Sequence, residues 1–294
     1  MKKFFALLLA LMMSLSLVAC GGNDAADEAP AEDTATEDTA TEDTAVEETT
    51  PESDAAYIEG NGKLVVGITI YEPMNYYDDA GNLTGFDTEF AQAVCDKLGL
   101  EAEFQEINWD TKEIELAGKT IDCIWNGMTI TPDRAANMSI SLPYVKNAQV
   151  IVVKADSAYA STADLVDATL VAEMGSAGEA QIEGEDANAD LAQAEYVGMN
   201  KQTDCLMEVK AGTADAAVLD WTLAKSMVGE GTDFADLKMI EGVELATEEY
   251  GIAFRQGSDF TAKVDEAVKA LVADGTLPAL AEKYGLALAP AIAG

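Results

Sequence analysis

The 294-residue sequence contains no histidine. That absence removes Ser-His-Asp and Cys-His catalysis, histidine zinc sites and the usual neutral-pH proton shuttle together. Carboxylates, lysine and tyrosine remain, so an enzyme becomes less expected without being excluded. Basic residues are scarce: 17 Lys and Arg stand against 54 Asp and Glu, giving a net charge of −37. Phosphate backbones and anionic lipid headgroups both attract basic surfaces, which argues against nucleic acid and against an electrostatic hold on a membrane. Cysteine is sparse too. Cys95, Cys123 and Cys205 follow Cys20 with no CxxC spacing, so neither a disulfide framework nor a zinc site is indicated, and the three read as buried free thiols. No cofactor is implied.

What is present begins with a targeting segment. Lys2 and Lys3 precede an apolar run from Phe4 to Val18, which ends Leu17-Val18-Ala19-Cys20-Gly21. The run is short for a permanent membrane span, and small residues before a cysteine resemble a bacterial lipobox. A plain secretory signal with an incidental Cys20 is the alternative. The lipobox reading makes residues 1–19 a signal peptide and Cys20 the lipidated N-terminus. From Gly21 to Ala56 there is no Lys, Arg or aromatic residue, and AEDTA, TEDTA, TEDTA follow one another between Ala31 and Ala45. Such a segment has too little apolar surface to order itself, so residues 20–56 are expected to form an acidic, disordered tether.

The globular part is expected from Tyr57. Strands are predicted at 63–70, 102–107 and 121–125, with helices at 86–98 and 109–116 between them. This is βαβ alternation, hence an α/β fold with parallel sheet. ELAGKTIDCIW at 115–125 and EVKAGTADAAVLD at 208–220 both read as helix, Ala-Gly turn, Asp and apolar strand, which suggests two lobes of similar build. Ligands of open α/β sheets bind beyond the carboxyl ends of strands. If Trp125 ends its strand, Asn126 to Thr129 occupy that rim. Thr131-Pro132-Asp133-Arg134 is then a helix start, with Thr as N-cap and Pro at the first position. Gly127 would let backbone approach a ligand, Thr129 offers a hydroxyl, and Arg134 supplies a planar fork matched to a carboxylate. The competing reading pairs Arg134 with a surface acid of its own chain. Asp220 ends the equivalent strand of the second lobe, where it can take an ammonium or cap the helix beginning at Trp221. Gly175-Ser176 offers further donors after another strand. A ligand bridging Arg134 and Asp220 is an α-amino acid.

From Lys63 to Tyr284 the chain resembles the extracellular solute-binding proteins of polar amino-acid ABC transporters. VVGITIYEPMNY, LTGFDTEFAQAVCDKLG, GKTIDCIWNGMTITPDR, SLPY, GTADAAVLD, EEYGIAFRQGS and DGTLPALAEKYG occur in family order. The resemblance implies a periplasmic-binding-protein-like fold of type II, with lobe one at 57–150 and 249–294 and lobe two at 151–248. Two strand hinges would cross near Val150 and Glu248 to Gly251. It also implies that Arg134 clamps an α-carboxylate with Thr129 and Ser176, and that Asp220 takes the α-ammonium. Gly127 and Asn126 would contribute at the rim, and Tyr71 and Trp109 would pack on the ligand. Basic- and glutamine-type members carry an acid shortly after the first strand, where this chain reads Ile68-Thr69-Ile70. Glu173 is a different acid: facing inward it favours a cationic or amide side chain, and facing solvent it leaves a neutral polar one. The implied protein binds an L-amino acid, works as a monomer and docks on a permease while anchored by lipid on the outer face of the cytoplasmic membrane, which is the periplasm in a two-membrane cell. Two alternatives stand beside that reading: a dehydratase-like enzyme acting on a small carboxylic acid, with Glu173 as its acid or base, and a sensory binding protein.

Overall fold

A computed structural model describes residues 53–293. The signal segment, Cys20 and the acidic repeat lie outside the described residues. Among the described residues, regular structure is already present before Tyr57, where the composition placed the start of the globular part. Ser53 caps helix α1 (Asp54–Asn61) by accepting from the Ala56 N–H, and Asp54 pairs with Arg255 at 2.7 Å. A capping hydroxyl and an ion-pairing acid hold this turn, which has no aromatic residue before Tyr57.

Strand β1 (Lys63–Ile68) is followed by the short pair β2 (Tyr76–Tyr77) and β3 (Leu83–Thr84), helix α2 (Phe86–Leu98) and β4 (Glu101–Glu106). Helix α2 buries Phe86, Phe90 and Val94 on its apolar stripe and stops at Gly99, whose φ of 71° permits the left-handed cap. The helix expected at 109–116 is divided. Asn108 caps a 3-10 turn (Trp109–Thr111) that runs into α3 (Lys112–Ala117). Then come β5 (Cys123–Thr129), α4 (Pro132–Asn137), β6 (Met138–Ile140) and β7 (Val145–Lys154). The second half contains β8 (Thr169–Glu173), α5 (Ala177–Glu183), β9 (Glu195–Met199), α6 (Gln202–Ala211), β10 (Ala216–Asp220), α7 (Trp221–Met227) and β11 (Leu237–Met239). Strand β12 (Ala246–Arg255) and helices α8 (Phe260–Ala273) and α9 (Thr276–Tyr284) complete the chain.

The main sheet runs β4-β1-β5-β12-β7-β10-β8-β9, with β6 on β12 and β11 on β7. Parallel pairing holds where βαβ alternation predicts it, in β4-β1-β5 and in β10-β8-β9. The long strands β7 and β12 are antiparallel to their neighbours because they carry the chain between the two halves. Residues 145–149 of β7 pair with 246–250 of β12, while 149–153 pair with β10 and 250–254 with β5. The fold is thus a two-lobed α/β fold joined by two strands. Around α2, Phe86, Phe90, Trp125 and Tyr144 form one aromatic cluster, with Phe90 edge-on to Trp125 at 4.9 Å. The three cysteines are buried and free, filling core positions as small hydrophobes.

Candidate functional site

The strand that carries the first candidates is longer than expected. β5 continues past Trp125 to Thr129 with all seven residues buried, because Tyr250 and Gly251 of β12 pair with Thr129 and Met128. Asn126 and Gly127 are therefore strand residues rather than rim loop, which corrects the placement read from the sequence. Asn126 accepts from the Thr69 N–H at 3.0 Å and from the Asn75 amide at 2.7 Å, and donates to the Thr69 hydroxyl. It pins the segment after β1 that presents Tyr71. The Gly127 N–H, expected to face a ligand, donates instead to Asp87 Oδ2 at 2.7 Å. Gly127 has φ 55°, and a Cβ there would lie 2.7 Å from the Tyr71 ring, so the position demands glycine for both backbone and space.

Asp87 is fully buried in a core of rings, and burial pushes its carboxyl up to about 7 against the bonds from Gly127 and Tyr144. It holds β5 from behind. In front, the Tyr71 hydroxyl meets the Tyr250 hydroxyl at 2.6 Å and the Thr222 hydroxyl, and Thr222 lies 3.0 Å from Tyr250. This triangle joins the segment after β1, the crossing strand β12 and the first turn of α7.

The helix start at Thr131 is as expected: its hydroxyl accepts from the Arg134 N–H and Pro132 stands at the first position. Arg134 is 8% exposed and has no ion pair among the described residues, so the surface-acid reading does not describe its geometry. Its Nη1 donates to the Thr129 carbonyl at 2.8 Å and its Nη2 to the Gly175 carbonyl at 3.0 Å. Burial lowers its pKa, opposed by acids that begin with Glu248. Ser176 caps α5 by accepting from the Glu179 N–H at 3.1 Å, and the Gly175 N–H donates to Glu179. Trp109 is buried, with the Lys112 ammonium 4.8 Å above its ring.

Asp220 lies at the end of β10 and makes no capping bond to α7. Its Oδ1 accepts from Asn147 at 2.6 Å and Gln149 at 2.7 Å, both on β7, and Oδ2 accepts from Gln202. Burial raises its pKa, against these bonds. Glu248 on β12 was missed by sequence reasoning. It accepts from the same two amides and from the Thr129 hydroxyl at 2.9 Å, and burial followed by the Asp220 charge pushes it to about 7. The signal available was an acid two residues before Tyr250 on a crossing strand. Glu173 is buried, 3% exposed, and burial with the neighbouring Asp220 charge raises it to about 8, opposed by Lys112. A cleft of about 1040 Å³ opens beside Arg134, lined also by Lys112, Asp110, Gly175 and Ser176. Two cations and three carboxylates of two lobes are thus within electrostatic reach of one another. The set is suited to a zwitterion with an additional positive or hydrogen-bonding group.

The two lobes, the paired crossing strands and this charged interior define a solute-binding protein. More specifically, the chain belongs to the bacterial extracellular solute-binding proteins, family 3, whose family model matches residues 64–287. The arginine-binding extracellular protein ArtP of Bacillus subtilis (strain 168) is 28% identical over 287 residues, covering 97% of this chain and 98% of that protein. The crystal structure of Tv2483 bound to L-arginine superposes with a TM-score of 0.71 at 25% identity, covering 79% of this chain and 93% of that one. An ancestral amino acid-binding protein, AncCDT-1, a precursor of cyclohexadienyl dehydratase, gives a TM-score of 0.70 at 29% identity over 79% of this chain and 99% of its own.

Proposed function

We propose that this protein is the substrate-binding component of an ABC importer and takes one polar L-amino acid between its lobes, a cationic one in preference. The observation that supports this is a buried Arg134 with no ion pair among the described residues, within electrostatic reach of Asp220 and Glu248, while the buried Glu173 feels Asp220 in turn. Arg134 meets the α-carboxylate with Thr129 and Ser176 beside it, and Asp220 meets the α-ammonium. Tyr71 and Trp109 pack on the ligand body. Gly127 and Asn126 act by shaping β5 rather than by touching the ligand. Glu173 reads the side chain: a buried carboxylate with a raised pKa is relieved by a guanidinium, ammonium or amide. Arginine-binding proteins among the relatives support the cationic preference.

Lobe one comprises 57–150 and 249–294 in this proposal, with α1 extending it to Ser53, and lobe two comprises 151–248. Cys20 carries a lipid, and the acidic segment tethers a monomeric domain outside the cytoplasmic membrane, where it meets its permease. Binding is tested by calorimetry against L-arginine, L-lysine, L-histidine, L-glutamine and L-cystine. A response to one class, lost in Arg134→Ala and Asp220→Ala, supports the receptor; a flat panel sinks it. A second reading draws on Glu173, whose protonated carboxyl at neutral pH is the form a general acid needs. Conversion of a small carboxylic acid to product, abolished in Glu173→Gln, would establish that enzyme reading instead.

A further inference from the structure

Lys112 is an expensive residue where it stands. It opens α3, is 4% exposed, and forms no ion pair among the described residues. Its ammonium donates to the Trp109 carbonyl at 3.1 Å and to the Gly175 carbonyl at 3.0 Å. The second of these is the same oxygen that accepts from Arg134 Nη2 at 3.0 Å. Two buried cations from lobe one therefore converge on one neutral oxygen from lobe two. Two charges held this close repel, and a carbonyl dipole compensates less than a carboxylate does. Such an arrangement is built for an anion.

We infer that Lys112 is a second cation of the carboxylate clamp, a specificity-determining residue that shares the ligand's α-carboxylate with Arg134. The inference rests on the amino-acid reading above. On binding, the carboxylate takes the place of the Gly175 carbonyl between the two cations, so the turn after β8 responds directly to whether a carboxylate is present. A structural role is the competing account, in which Lys112 only packs on Trp109 and ties down its carbonyl. The two differ in what they demand of the ligand and of pH. Lys112 is lowered to about 8, first by burial and then by Arg134, with Glu113, Glu173 and Asp110 opposing. A carboxylate between the cations restores its proton, so affinity falls as pH rises through about 8.

The test uses the purified full-length chain with L-arginine and L-argininamide as probes, by calorimetry from pH 7 to 8.5. Wild type should bind L-arginine about fourfold more weakly at pH 8.5 than at pH 7, the loss expected for one proton bound at a site of pKa about 8. Lys112→Arg should bind it with no such loss beyond the shared titration of the ligand's own amine. Lys112→Met should bind L-arginine at least tenfold more weakly than wild type at pH 7 while L-argininamide is little changed. Equal losses for both probes in Lys112→Met, or the same pH profile in wild type and Lys112→Arg, overturn the inference and leave amino-acid binding intact. A wild type that binds none of L-arginine, L-lysine, L-histidine, L-glutamine or L-cystine overturns the receptor reading and this inference with it.

Discussion

Glu173→Gln should make the protein more stable and a poorer receptor, and pH separates the two effects. Glu173 sits at the end of β8, 3% exposed, with its carboxyl raised to about 8 by burial and then by Asp220. In the unfolded chain a glutamate titrates near ~4.3. A carboxyl whose native value is raised contributes stability that is fully present below the unfolded value and is lost as pH rises through the native one. Over roughly pH 4 to 8 the native state binds the extra proton, so stability falls across that window. At about 1.4 kcal/mol per unit the full shift corresponds to ~5 kcal/mol. Rearrangement and water entry around a buried charge bring the realised cost below this ideal figure, to about 2–3 kcal/mol. Glutamine keeps the shape and an oxygen for Gln202 while removing the titration. Urea unfolding without added amino acid should therefore show the variant ~2–3 kcal/mol more stable at pH 8.5 and unchanged at pH 4.5. The same variant should lose at least tenfold in affinity for L-arginine, the usual exchange of stability for function at a strained site. An equal stability change at both pH values would refute the electrostatic account and make Glu173 a packing residue.

Gly127→Ala should destabilise by about 2–4 kcal/mol in urea unfolding, because a Cβ meets the Tyr71 ring at 2.7 Å and the backbone is left-handed. Arg255→Met should cost about 3 kcal/mol in the same assay. It would leave the buried Asp122 without its guanidinium at 3.0 Å and unfasten Asp54 of α1. Asp220→Asn should abolish the thermal shift with every L-amino acid while raising the melting temperature at pH 8, since burial already disfavours that charge.

The elements that were legible in the sequence are those whose signals are local. Helix α2 lies where its apolar stripe and Gly99 put it, and the cap at Thr131 was readable from Thr-Pro-Asp-Arg alone. Arg134 and Asp220 could be singled out because each follows an apolar strand, and Glu173 was singled out with its direction undecided. What was not legible depended on pairing between distant segments. The extension of β5 to Thr129 comes from β12, more than a hundred residues later, so Asn126 and Gly127 were mistaken for rim. Glu248 sits in a strand whose neighbours belong to both lobes, and period-two alternation says nothing about a side chain at such a crossing. Lys112 lay in a stretch read simply as a helix, where a lysine is expected to reach solvent.

The same crossing offers a route by which ligand chemistry would reach the hinge. Asn147 and Gln149 alternate faces with Ala148 along β7, so their amides share one side of the strand. Each amide nitrogen donates to both Asp220 and Glu248. Every amide hydrogen is thereby committed, and the two carboxylates are held together by donors on one crossing strand while Glu248 belongs to the other. Thr222, two residues after Asp220, donates its N–H to Asn147 and places its hydroxyl among Tyr71 and Tyr250. An ammonium arriving at Asp220 would relieve the repulsion between that residue and Glu248. With the ligand's ammonium at Asp220 as proposed, its binding and the setting of the two strands would be one event, because the same four side chains would take part in both. A ligand without the amine would meet Arg134 and leave Asp220 and Glu248 opposed, so it would fill the cleft without favouring closure.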